Sequence, residues 1–166
     1  MARAFSLLES IGRARDYTNQ LLSGTSPDDW FRMPHEGVSH IAWQVGHLAF
    51  AEYSLALKRI RGKRAEDAQL LPGAFVEKFG RGSSPQPDPR AYPSTEEIRR
   101  VFDRLHQRVL DEVSALEDAT FDEPVTDPHP RFSTKGDALV WCAEHEMMHA
   151  GQIGLLRRLL GKPPLW

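Results

Sequence analysis

Between Ser94 and Leu116 the apolar residues Ile98, Phe102, Leu105, Val109, Val113 and Leu116 recur at spacings of 4, 3, 4, 4 and 3. Only a helix puts residues at those spacings on one face, and a stripe this regular is what a helix presents to the interior of a bundle. The run opens with Ser94-Thr95-Glu96-Glu97, a capping box in which serine and glutamate satisfy each other's orphan amides. A single amphipathic helix cannot bury its own stripe, so the chain must supply partners for it.

Three further segments have helical periodicity. The first runs from about Arg3 to Leu22, with Phe5, Leu8, Ile11, Tyr17, Leu21 and Leu22 as its inward candidates and Gly24 as its C-cap. Ser26-Pro27-Asp28-Asp29 then starts a short helical turn, with a capping residue before a proline in the first helical position. The second long helix, from about Ser39 to Arg61, is apolar over much of its circumference and so mostly buried. The last runs from about Thr134 to Leu160 and is stopped by Gly161 and Pro163-Pro164. Thr134 and Asp137 give it an acidic variant of the capping box.

No segment shows a convincing period-2 strand pattern, and DEPVTDPHPRFS, ahead of the last helix, reads as a polar loop. The stretch from Gly62 to Pro93 is rich in Gly, Pro and charge and is too long for an ordinary turn. It reads as a crossover with local structure of its own, or equally as a lid. The expectation is an all-α protein: a four-helix bundle with a long crossover connection between the second and third helices, one domain spanning residues 1–166.

Cys142 is the single cysteine, which excludes an internal disulfide framework and a Cys-rich metal cluster within one chain. Glu9, Arg13, Arg15 and Asp16 break up the apolar positions near the N-terminus, so it does not read as a signal peptide. There is no apolar run long enough to span a bilayer. A net charge of −2 gives no basic footprint for nucleic acid. A cytoplasmic protein acting on small molecules, with no nucleic acid and no membrane as partner, is expected.

The chemistry concentrates in His145-Glu146-Met147-Met148-His149. Residues at i and i+4 stand one turn apart on one helix face, so both imidazoles can reach one ion. The same face holds Cys142, Gln152, Leu156 and Leu159, and the histidines interrupt it where core residues belong. Two buried histidines with hydrogen-bond partners would explain the pair equally well.

His47, in HIAWQVGHLAF, supplies a companion. If the second and fourth long helices run antiparallel, His47 lies about 21 Å from the end of one, and His145 and His149 about 17 and 23 Å from the start of the other. A parallel arrangement would miss by about 8 Å. Three neutral imidazoles with open positions describe a catalytic type of metal site, and zinc, nickel and ferrous iron all accept that donor set.

The string also matches H-E-x-x-H, the metalloprotease signature, but its context fails. Zincins take a third ligand downstream, and residues 150–166 contain no His, Asp or Glu; the metzincin extension needs Gly at 152 and His at 155, where this chain has Gln152 and Leu155. Glu146 points away from the ligand face, which suggests an outward structural role, with proton shuttling as the alternative.

HIAWQVGHL together with EHEMMHAGQIGLLRRLL resembles the DinB-like superfamily, in length, in the order of the two motifs and in the long second connection. The resemblance implies ligation of one divalent metal by His47, His145 and His149, frequent homodimers, and relatives that use low-molecular-weight thiols in transfer or isomerisation. It does not carry over a substrate or a catalytic residue. The expected function is therefore activation of a thiol or water at a three-histidine site for transfer to, or hydrolysis of, a small molecule. The alternative is a non-catalytic, stress-associated metal-binding dimer.

Several other residues are read more plainly. Gly46 and Gly151 let a neighbouring backbone or a ligand come close. Gln152 either orients a ring or water or is a buried amide satisfied by backbone, and Cys142 is buried packing. His40 is a helix-boundary residue, while His35, His106 and His129 are assigned nothing. Trp43, Trp141, Met147 and Met148 are core or dimer surface, with a pocket wall as the alternative. Lys58, Arg59, Arg61, Lys63 and Arg64 form a solvated helix end, with anion binding as the alternative.

Overall fold

Side-chain caps set where the long helices begin. In the computed structural model, which describes residues 2–165, α1 spans Ala2–Leu22 and the short α2 Pro27–Trp30. His40 caps α3, Ile41–Glu52, by accepting the Trp43 N–H at Nδ1 (3.1 Å). The helix continues through a π-helical turn, Tyr53–Lys58, into α4, Arg59–Arg61, and ends at Gly62 with φ 82°. The 62–93 segment folds into α5, Asp67–Leu70, α6, Gly73–Phe79, and a 3₁₀ turn at Pro89–Ala91. The third and fourth long helices are α7, Thr95–Ser114, and α8, Lys135–Leu159.

Ser26 and Asp29 make the full reciprocal capping box. Ser94 and Thr134 make only its serine or threonine half, accepting the Glu97 and Asp137 N–H groups. The polar loop before α8 is not irregular. Pro124–His129 (β1) and Phe132–Thr134 (β2) pair as an antiparallel hairpin, irregular in register, after a 3₁₀ turn at Asp118–Asp122. Three prolines and alternate half-burial hide its period from the sequence.

The chain forms the expected all-α bundle, with this hairpin as its only sheet among the described residues. Cross-helix bonds give the helix directions. Arg15 meets Glu146 and Arg157 meets the Leu21 carbonyl, so α1 and α8 run parallel. His106 meets Glu52 and Arg61 meets Glu112, so α3 and α7 also run parallel. Gln44 bonds Gln152 while His47, three residues on, lies against His145, so α3 and α8 run antiparallel, the arrangement that brings the three histidines to one level. A parallel α3–α7 pair requires a long return, which explains the crossover. No helix among the described residues is long and apolar enough to cross a membrane.

The α7 stripe is buried as expected, from Ile98 to Val113. In α1 Ile11, Leu21 and Leu22 are buried as expected and Leu8 and Tyr17 pack half-buried against the core, but Ala4, Ala14, Arg15 and Thr18 complete the inward face and Phe5 is 71 % exposed. Phe5 lies one residue, about 100° of helix, past Ala4, and the small alanines let α8 approach closely. Arg15, 3 % exposed, is the unexpected core residue. Its Nε and one Nη bond Glu146 (2.8 and 3.2 Å), the same Nη bonds Glu52 (2.7 Å), and its other Nη donates to the Phe102 carbonyl (3.1 Å). The guanidinium lies 3.4 Å from the centre of the Phe102 ring. His106 donates Nδ1–H to Glu52 (2.7 Å), so one network joins all four long helices.

Removing one member of a buried ion network leaves the others uncompensated. Arg15→Met should destabilise the fold by roughly 3–5 kcal/mol in urea titration, and replacing Arg15, Glu52 and Glu146 together by apolar residues should recover most of that loss. A cost within ordinary surface scatter for the single variant would show that the network does not hold the bundle.

Candidate metal centre

α3 and α8 bring His47, His145 and His149 together. Ring centroids are 4.5 Å apart for His145–His149, 4.9 Å for His47–His149 and 5.5 Å for His47–His145. One nitrogen from each ring lies within 4.8 Å of the other two. Nitrogens bonded to one tetrahedral ion at about 2.1 Å stand about 3.4 Å apart, so the longest separation needs to close by up to about 1.4 Å.

The bonds made by the outer nitrogens settle which ones face inward. His47 Nδ1 lies 2.8 Å from the Phe79 carbonyl oxygen, which only accepts, so Nδ1 carries the proton and Nε2 keeps its lone pair. His149 Nδ1 lies 2.5 Å from Gln44 Oε1, and Gln44 Nε2 donates to Gln152 Oε1 (2.9 Å). With the Gln44 amino group thus engaged, its oxygen is left to accept from His149. Two of the three rings are thereby fixed in the Nδ1–H tautomer, the arrangement that outer partners impose on metal-binding histidines. The third ring, His145, has Trp141 edge-on at 6.2 Å.

Gly46 makes the Phe79 contact possible. A Cβ at this position would fall inside the Phe79 ring, far closer than any real contact, so only glycine lets the end of α6 lie against α3 with its carbonyl over His47. Trp43 stacks on His47 (4.8 Å, 6°) and is itself held through Nε1 by Ser83 Oγ (3.1 Å). The crossover segment is thus part of the site. Gly151, by contrast, faces open space and approaches nothing.

Burial, disfavouring the charged form, holds all three imidazoles below their ordinary pKa. His145 falls to about 4, with His47 as the second cause, and His149 to about 3, with His145 and then His47 adding to the effect. For His47 the Phe79 carbonyl partly opposes the lowering. At neutral pH the cluster is three uncharged donors, the state a metal requires.

Glu146 is structural, as its angle on the helix suggested, but it is buried against Arg15 rather than outward. It faces away from the triad and has no access to a substrate, which removes the remaining protease role. Cys142 is buried, and burial pushes its thiol well up. Gln152 orients His149 at one remove, through Gln44. Gln44 and the Phe79 carbonyl were not singled out in the sequence; the amide in an otherwise apolar helix face, three residues before His47, was the available signal. His106 holds Glu52.

A cavity of about 570 Å³ opens beside His47 and His145, walled by Phe50, Leu55, Trp141 and Met148. Lys58, Arg59 and Arg81 also line it, as do His129 and Arg131 of the hairpin. Its size suits a small organic molecule. Trp141 and Met148 therefore serve as pocket wall.

The fold and site define a class: a four-helix bundle with a parallel crossover and three inward, neutral histidines beside a small-molecule cavity. The family model described as the DinB superfamily matches residues 10–153, and the chain belongs to that superfamily. Among solved structures it is similar to a conserved protein from Enterococcus faecalis, with 16 % identity, a TM-score of 0.70, and coverage of 94 % of this chain and 96 % of that one; this likeness shows the fold. No curated protein matches significantly.

Gln44→Leu keeps the volume but leaves the His149 Nδ1–H without its acceptor. Metal affinity, measured by competition with a chelator, should fall about 10–100-fold. Unchanged affinity would show that the amide does not hold the ring.

Proposed function

We propose that His47, His145 and His149 hold one divalent transition metal, zinc, nickel or ferrous iron, and that the protein uses it to activate a low-molecular-weight thiol or water against an electrophilic small molecule. The observation that carries this reading is the donor set itself: three uncharged imidazoles with converging nitrogens, two of them fixed in tautomer by Phe79 and Gln44, next to an open cavity. A structural metal site would close all its positions with protein ligands, and among the described residues no fourth side chain joins this group. When bound there, a divalent cation supplies Lewis acidity, which lets a thiol or water lose its proton near neutral pH.

The chain's own residues supply the setting. Trp43 and the Phe79 carbonyl hold His47 in place, and the amide chain holds His149. Phe50, Leu55, Trp141 and Met148 keep the neighbouring volume apolar, which favours an organic substrate over bulk water. We place the protein in the cytoplasm, with a small molecule rather than nucleic acid or membrane as its partner.

The purified protein should contain about one metal per chain by elemental analysis, and His145→Ala should lose it. The metal-loaded protein should conjugate a low-molecular-weight thiol to a model electrophile or hydrolyse an activated ester, and a chelator should abolish the turnover. Stoichiometric metal without turnover on any such substrate would overturn the enzymatic reading in favour of a metal-binding module. Absence of metal would overturn both.

The oligomer proposed is a homodimer. Val140, Met147, Met148, Leu155 and Leu159 leave one side of α8 apolar and 45–52 % exposed, a patch that a second copy of the same helix would cover. The mass in solution should be that of two chains, and Leu155→Glu should shift it to one. A wild-type monomer at working concentration would refute the dimer.

A further inference from the structure

The chain as a whole is slightly acidic, with 23 Asp and Glu against 21 Lys and Arg, yet the cavity beside the triad is lined by Lys58, Arg59, Arg81 and Arg131 and by no carboxylate. Asp127, the acid that pairs with two of these lining residues, is already committed. It pairs with Lys58 at 2.9 Å and reaches Arg59 at 3.8 Å. Among the described residues neither Arg81 nor Arg131 has a carboxylate within ion-pair distance.

Two further observations concern the arginines themselves. Arg59 bonds the Ser54 hydroxyl and carbonyl through one Nη (2.6 and 3.1 Å), while its buried Nε has no hydrogen-bond partner. A buried guanidinium N–H without an acceptor is costly, and an oxyanion is the acceptor that recovers most. Arg131 lies over the Trp141 ring at 4.5 Å, which holds a charge at the apolar wall without neutralising it. The field of these groups is felt at His129, which is held below its ordinary pKa first by burial and then by Arg59, Arg81 and Arg131, with Asp127 opposing.

We infer that this cavity binds the carboxylate or phosphate end of a small organic anion through Arg59, Arg81 and Arg131, with the apolar body of the ligand against Phe50, Leu55 and Trp141. The site is bipartite. Four cations from three separate segments, Lys58 among them paired with Asp127, line one cavity together with His47 and His145. The inference rests on the proposed function only for what happens at the histidines; the anion is selected by the arginines whether or not a metal is present.

The test is calorimetric titration of the metal-free protein with benzoate, phenyl phosphate and the uncharged benzamide. At least one of the two anions should bind tenfold or more tighter than benzamide, and which of them binds tighter distinguishes a carboxylate from a phosphate ligand. Arg81 and Arg131 are exposed, so the double variant Arg81→Gln/Arg131→Gln should fold normally and keep its metal content while losing tenfold or more in anion affinity. His145→Ala should retain the preference for anions, which separates this result from any failure of the metal reading. Equal binding of benzamide and the anions, no heat with either anion, or wild-type affinity in the double arginine variant would each overturn the proposal.

Discussion

The bundle is organised around a buried guanidinium. Arg15 sits in the middle of the interior, where burial would lower its pKa, yet Glu52 and Glu146 outweigh that effect and hold it raised. Glu52 is itself pushed up by burial and brought below its ordinary range by Arg15 and then by His106. Such a network contributes little net stability compared with apolar packing, but it tolerates only one alignment of the helices that carry it. Glu52 lies five residues after His47 and Glu146 directly after His145. A slip of one turn between α3 and α8 would therefore cost the ion network as well as the convergence of the imidazoles. The buried charges set the register on which the histidine cluster depends.

What the sequence revealed follows from which forces leave a periodic trace. The α7 stripe was legible from Ile98 to Val113 because one face is apolar and the rest polar, although Val101 adds to it and Leu116 falls half-buried past the end of the helix. The histidine triad was legible because i and i+4 spacing on a helix fixes two donors, and antiparallel helix lengths place the third. α8 was harder to read. It carries the triad on one side, Glu146 on a second and exposed Val140, Met147, Leu155 and Leu159 on a third, so no single direction around it is hydrophobic. In α1, Phe5 looked like core because of its side chain, whereas the neighbouring position actually buried is Ala4, and the same face carries an arginine among its apolar residues. Residue type pointed the wrong way there, and only the partner helix decides.

The second half of the site was illegible for a different reason. The Phe79 carbonyl, Ser83 bonded to Trp43, and Arg81 and Arg131 of the cavity come from the 62–93 crossover and the 124–134 hairpin, stretches without helical period, whereas Gly46 and Arg59 lie on helices and stood out in the sequence as a close-approach glycine and, in the alternative, an anion-binding arginine. The contributions of the crossover and the hairpin are backbone oxygens and surface cations, which no spacing rule singles out. The π-helical turn at Tyr53–Lys58 belongs to the same class. Its Arg59 N–H reaches back to the Ser54 carbonyl, and Ser54, Leu55 and Lys58 all line the cavity, yet nothing in YSLALK distinguishes it from ordinary helix.

Charge connects the two parts of the site. Three imidazoles that stay neutral at pH 7 bring no negative charge to a cation, unlike a donor set containing aspartate or glutamate. The carboxylate one residue from His145 is turned away and neutralised by Arg15, and Asp127, which reaches two of the lining cations, is paired with lysine. Both dispositions keep negative protein charge out of the pocket. On the proposed reading, the pocket then presents uncompensated positive charge from its arginines and from the metal beside an apolar wall. A thiol, a water or an organic acid that enters there meets a field favouring its deprotonated form, and a neutral ligand gains only the apolar wall. On that reading selectivity for anions is a property of the whole cavity, arising from where the carboxylates have been spent as much as from where the arginines stand.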